Sequence, residues 1–416
     1  MDSVRSCGNL ILGCSRDPNV RKQKYLRSGA QYLQAGKLRE AAIEFENAIQ
    51  LDPRFAETHY QLAQCYLRES VWNGAYQELL RTVDLQPQNA NALTDLAKLL
   101  VAGRKFQDRR DRAAAALAVR PESFDAQLLL ASADEALGNT DLAADEAQKA
   151  IQTAPGHAEG YVILALAQLK KQKLNEAETS FQQAISADVH FLPGRLLLAG
   201  LYQSQNRLPE AEQQYTAAIV AVPDNPVPRA ALAQLYVSEG RKIDAERTLA
   251  DAKSAMTNDP RGYRMIGDYY ISVGNSEKAL AEFASLSQAH PGDLSVKRTY
   301  IQLLMSQNRL EDANALNEQV LKVDPGEVEA MIVRGQILVR NGRSTEAVVA
   351  LQKAVKDAPD NAVGHFNLGV AYSQTGAPEL AEGEWRIAVH LAPSFVDALR
   401  SLGVCPSIPL RPADCA

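Results

Sequence analysis

Apolar and small residues recur along this chain at a fixed step, and the clearest copy runs from Lys22 to Pro53. In it Tyr25, Gly29, Tyr32, Ala41, Phe45, Ala48 and Pro53 stand where two short helices joined by a turn need bulky, small and helix-ending residues. Proline closes successive copies at Pro53, Pro87, Pro121 and Pro155, each 34 residues after the last. With Val189 and Thr257 standing in once each, the same step reaches Pro223, Pro291, Pro325, Pro359 and Pro393. That makes eleven units from Lys22 to Phe395 with no insertion or deletion. Each unit predicts a first helix, a turn, and a second helix that stops at the proline. Proline cannot donate to the helix ladder, and it pushes the residue before it out of helical geometry.

The turns are marked by Ala35-Gly36, Gly138-Asn139, Gln205-Asn206, Gly274-Asn275, Gln307-Asn308 and Asn341-Gly342, where a residue tolerant of left-handed geometry ends the first helix. The twentieth residue of the unit is alanine in ten copies, from Ala41 to Ala381. A small side chain is needed where the two helices of a pair cross, opposite another small residue such as Gly29, Ala199 or Gly369. Four residues on, a bulky group such as Phe45, Phe181, Tyr215, Phe283 or Trp385 is expected to fill the gap towards the next pair. Some copies fit less well. The third has Arg109 at the alanine position, the fourth Asp134 at an aromatic one, and the ninth Ile301 and Asn317 at small and aromatic ones. The weak points of the array are therefore expected near Arg104–Arg112 and near Asn317.

This spacing resembles the tetratricopeptide repeat family, over the span from Lys22 to Phe395. The resemblance implies an all-α, right-handed superhelical solenoid of stacked antiparallel helix pairs, with first helices lining a concave side where other proteins or peptides bind. Inward positions on that side include Tyr60, Gln64 and Arg68 in the early units, and Ser132 and Glu135 in the middle. Later units offer Arg261, Arg264, Asp268, Arg298, Gln302, Gln336 and Arg340. Arginine forks suit carboxylates, so Arg261, Arg264 and Arg298 would hold an acidic peptide segment. The same residues also read as a solvated face in which Asp268 is an ion-pair partner. A chaperone-docking clamp would need Lys and Asn where the first unit has Leu26 and Ala30, which argues against it.

Composition narrows the field of functions. A net charge of −6 offers no concentrated basic face for nucleic acid. The basic run Arg104–Arg112 is interleaved with Asp108 and Asp111 and reads as a solvated second helix. No run of roughly 18 apolar residues predicts a transmembrane helix. The six histidines show no metal-ligand spacing, and no phosphate loop, GxSxG elbow or HExxH appears, so the chain reads as non-catalytic, with no cofactor and no metal. His59 and His365 share one repeat position, and Cys65 reads as a small buried residue.

The ends lie outside the repeat. Residues 1–21 form a leader in which Ile11-Leu12-Gly13-Cys14 is similar to a bacterial lipoprotein cleavage site, with Cys14 as the lipidated residue and a route to membrane attachment. The polar stretch before Leu10 lacks the apolar core of a secretion signal. Residues 22–395 hold the repeats, 396–403 a capping helix, and 404–416, with three prolines, a disordered tail. Three settings follow: a lipid-anchored assembly factor facing the periplasm, a cytoplasmic regulatory adaptor, or the non-catalytic portion of a repeat-fused glycosyltransferase system.

Overall fold

The structure, a computed structural model, describes residues 17–101 and 103–403. Cys14 and the tail 404–416 lie outside the described residues. Among those described the regular structure is all helical, and the chain divides into two compact units at Pro223/Asp224. The first holds six antiparallel helix pairs, from Pro18–Gln34 with Leu38–Leu51 to Leu192–Ser204 with Leu208–Ala221. The second holds five, from Pro226–Ser238 with Lys242–Ala255 to Ala362–Gln374 with Pro378–Leu391, followed by the short helix Val396–Ser401. The opening helix begins at Pro18, upstream of Lys22, because the Asp17 carboxylate caps it by accepting from Asn19 N at 2.9 Å.

The turn is more regular than the sequence suggests. A left-handed residue recurs at the fifteenth position of every pair: at Gly36, Gly138, Gly240, Gly274, Gly342 and Gly376, and at Ser70, Arg104, Gln172, Asn206 and Asn308. Residues other than glycine are strained there by about 1 kcal/mol. The exposed Gln172 makes no described side-chain bond. Gln172→Gly is therefore expected to stabilise the chain by about 1 kcal/mol. An unmoved or lowered urea midpoint would show that the geometry carries no strain.

Packing within a pair follows from the small positions. A Cβ added at Gly369 would meet Trp385 at 2.4 Å and the backbone oxygen of Ala381 at 3.0 Å, so the helix backbones themselves approach at this crossing. At Gly29 and Gly267 it would meet the rings of Phe45 at 2.5 Å and Phe283 at 2.8 Å. The bulky residue thus fills space over the small residue of its own pair. Phe45 also joins a cluster with Leu62 and Cys65 of the next pair, as expected. Each such buried side chain contributes about 1.5–3 kcal/mol. Burial pushes the Cys65 thiol up to about 11, which suits an inert core residue.

Polar contacts tie several pairs to the one before. At the fourth position, His59, Gln127, Tyr161 and His365 donate to the carbonyls of Pro53, Pro121, Pro155 and Pro359, at 3.0 to 3.2 Å. The proline that ends one second helix leaves its carbonyl free, and the next first helix supplies the donor. In both histidine copies Nδ1 also meets a second-helix carboxylate, Glu78 at 2.5 Å and Glu384 at 2.6 Å.

The irregular copies depart from expectation in informative ways. Asp134, in place of an aromatic, is buried yet accepts from Arg110 Nε at 2.7 Å and Asn139 Nδ2 at 2.8 Å. The run Arg104–Arg112 is therefore not merely a solvated helix. The first helix of the third pair, Ala90–Leu99, has 10 residues where Ala56–Arg68 has 13. Asn317 is fully buried, and its Nδ2 donates to Ala330 O at 2.9 Å. A further break, absent from the sequence reading, splits the first helix of the eighth pair into Pro260–Tyr263 and Met265–Ser272 at Arg264.

Candidate peptide-binding face

The residues projected onto one face do lie on first helices, but most already have partners. Tyr60 and Gln64 converge on Asp95 of the next first helix, at 3.2 and 2.8 Å. Burial, and then the Asp95 charge, push the Tyr60 phenol up, so it stays a neutral donor. Arg68 and Arg340, both exposed, are engaged within the chain. Each donates to a carbonyl ending the previous first helix, Leu33 O at 3.4 Å and Met305 O at 2.9 Å, as Lys170 does to Glu135 O at 2.7 Å. A cation suits that end of a helix dipole.

The three arginines expected to grip an acidic segment do not act together. Arg261, 73% exposed, pairs with Asp259 at 2.7 Å and, by donating to it, holds that carboxyl below its ordinary range. Arg264 is mostly covered: it donates to Ser295 Oγ, to Thr299 Oγ1 at 3.3 Å and to Asp268 at 3.3 Å, and lies 5.5 Å from the Phe283 ring centre. Asp268 is thus an ion-pair partner. Arg298 pairs at 2.8 Å with Glu327, whose side chain is only 6% exposed. Gln302 and Gln336 make no side-chain hydrogen bond among the described residues and remain available.

Two shallow hollows open on this face. One, of about 360 Å³, is lined by Ala230, Gln234, Val237, Met265, Asp268 and Tyr269. The other, of about 400 Å³, is polar and bounded by Tyr60, Asp95, Lys98, Arg120, Phe124 and Asp125. A larger hollow of about 940 Å³ lies on the second-helix side, between Leu310–Val323 and Ser344–Asp357. No group of three or more His, Cys, Asp or Glu among the described residues is placed to hold a metal ion, and no described helix is long and apolar enough to cross a membrane.

Asp95, the acceptor on which two candidates converge, is not marked by the repeat pattern, which shows Arg109 as a packing fault within a basic run. The signal for Arg109 was available: a lone charge at a position that is otherwise alanine.

Stacked antiparallel helix pairs, four of them tied to the pair before through a proline carbonyl, define a helical repeat protein. The chain belongs to the tetratricopeptide repeat family. A TPR repeat model matches residues 29–70 and 335–376, and two tetratricopeptide repeat models match 94–158 and 164–226, and 204–268 and 270–336. Repeats of this family serve as scaffolds for protein interaction. No curated protein matches the chain. Among solved structures, a crystal structure of MamA protein is 24% identical, covering 41% of this chain and 93% of its own, with a TM-score of 0.39. PilW, described as a widely conserved type IV pilus biogenesis factor, is 17% identical over 51% of this chain and 98% of its own, TM-score 0.44. The TPR domain of P58(IPK) is 17% identical over 92% and 96%, TM-score 0.31.

Proposed function

We propose that the chain is a non-catalytic scaffold that binds peptide segments of other proteins along its first-helix face. The observation that carries this reading is the pairing pattern of that face. Its fixed positions are braced by Asp95, Asp268 and the helix-end carbonyls, while Gln302 and Gln336 carry unengaged donors and acceptors. A braced surface with free polar groups binds at low ordering cost. The proposed organisation keeps the repeats at 22–395 and the cap at 396–403.

Photo-crosslinking separates this face from its opposite. A crosslinker at Gln302 or Gln336 is expected to trap partner proteins from the native host, and one at the exposed Val349 of a second helix is not. Equal or stronger capture from Val349 would move the binding surface to the second-helix side.

Membrane attachment through a lipidated Cys14, and with it an envelope assembly role, rests on the Ile11-Leu12-Gly13-Cys14 pattern alone. Palmitate labelling that is lost in Cys14→Ser supports it. An unlabelled, soluble protein favours the cytoplasmic adaptor.

A further inference from the structure

The twentieth position of the pair is alanine in ten copies, all without exposure, and Arg109 in the third. The Arg109 side chain leaves the second helix Phe106–Val119 and reaches the next first helix, Phe124–Leu137, where Nη2 donates to Ser132 Oγ. Ser132 is itself fixed, since its hydroxyl donates to Leu129 O at 3.0 Å and leaves a lone pair for the arginine. Arg109 Nε is buried with no acceptor among the described residues.

No described carboxylate answers this cation. Neighbouring acids are engaged elsewhere: Asp134 with Arg110 at 2.7 Å, Asp125 with Lys98 at 2.6 Å, and Glu135 with Lys170 at 2.7 Å. Burial holds the Arg109 guanidinium below its ordinary value, and no neighbouring charge offsets it. A guanidinium does not escape this by losing its proton, and a covered cation without a counter-charge is costly. Ser132, at the ninth position of its pair on the first-helix face, is only partly covered. The preceding first helix, Ala90–Leu99, packs against this one and stops a turn short.

We infer that Arg109, held in place by Ser132, is a carboxylate-binding subsite on the first-helix face, taking an acidic side chain or the free C-terminus of a bound peptide. This rests on the reading of that face as the peptide-binding surface. With Nε buried and one Nη2 hydrogen on Ser132, Nη1, which has no partner among the described residues, and the other Nη2 hydrogen form the planar fork matched to a carboxylate. A single unaccompanied cation fits a monoanion better than a phosphate dianion, because Lys98 and Arg110 are already paired.

The test is a titration of the full chain labelled with ¹⁵N-arginine, using three probes. These are acetyl-Ala-Glu-Ala-amide, acetyl-Ala-Ala-Ala with a free C-terminus, and neutral acetyl-Ala-Gln-Ala-amide. The Arg109 Nε–H signal, assigned by its loss in Arg109→Ala, is expected to shift saturably with one or both carboxylate probes and to stay still with the neutral one. Which probe shifts it more identifies the source of the carboxylate. Arg109→Ala restores the residue that ten copies carry, so its melting temperature should hold or rise. Arg109→Lys keeps the charge but not the fork, and should bind severalfold more weakly. An Arg109 signal that ignores both carboxylates, or answers the neutral probe equally, overturns the subsite. If Gln302 and Gln336 still crosslink in that case, the face stands without it; if they do not, the face itself is misassigned.

Discussion

Ala211→Trp is expected to destabilise the sixth pair on the order of 3 kcal/mol, seen as an early loss of helical signal in urea. Ala211 has no exposure and sits in the first turn of the helix Leu208–Ala221, its N–H donating to Arg207 O at 3.2 Å. The equivalent crossing in the eleventh pair leaves 3.0 Å between a Cβ added at Gly369 and the backbone oxygen of Ala381, so an indole has no room without parting the helices. Arg109 does not contradict this. It is long and flexible enough to thread out to Ser132, and its pair has a shortened first helix. Ala211→Ser, adding one atom, should cost far less. A tolerated tryptophan would mean that the helices cross elsewhere.

Arg298→Glu is expected to lower stability by about 2–3 kcal/mol at neutral pH through a carboxylate it leaves behind. Glu327 caps the helix Val328–Arg340, accepting from Ala330 N at 2.5 Å, while Arg298 meets its other oxygen at 2.8 Å. Burial, its largest cause, already raises this carboxyl above its ordinary value. Removing the guanidinium and adding another carboxylate to the one Glu329 already presents raises it further. A carboxyl raised on folding binds its proton more tightly when folded. The deficit is therefore full above the folded value and shrinks as pH falls through it. Urea titrations at about pH 7 and about pH 5 should show the gap to wild type narrowing on the acid side. Arg298→Met, which keeps bulk without repulsion, should lie between. A mutant as stable as wild type at neutral pH would dismiss the bridge. Charge reversal at Arg298 is thus not a clean probe of binding, whereas Arg261, held only by Asp259 and mostly exposed, is one.

How far the sequence could be read differs between backbone and face. Proline and alanine at a constant step dictate paired helices, because each acts through sterics local to its own turn. Glycine and asparagine turns were visible for the same reason. Ser70, Arg104 and Gln172 were not, since closing the turn back onto the first helix of the same pair sets their left-handed geometry against the residues' own preference. On the face, periodicity placed Tyr60, Arg264 and Gln336 on first helices, but whether each was free depended on residues about 30 positions away. Asp95 engages Tyr60, Ser295 engages Arg264, and Leu33 O engages Arg68, all across one repeat step.

By itself the sequence determined the helix, the turn, the length of the repeating unit and the family, all properties of contacts within one pair. Only the tertiary structure decided which polar groups are answered by the next pair and which, like Arg109 Nε, are left without a partner. Side-chain pairing depends on the rise and rotation from one pair to the next, and no pattern in a single unit records that.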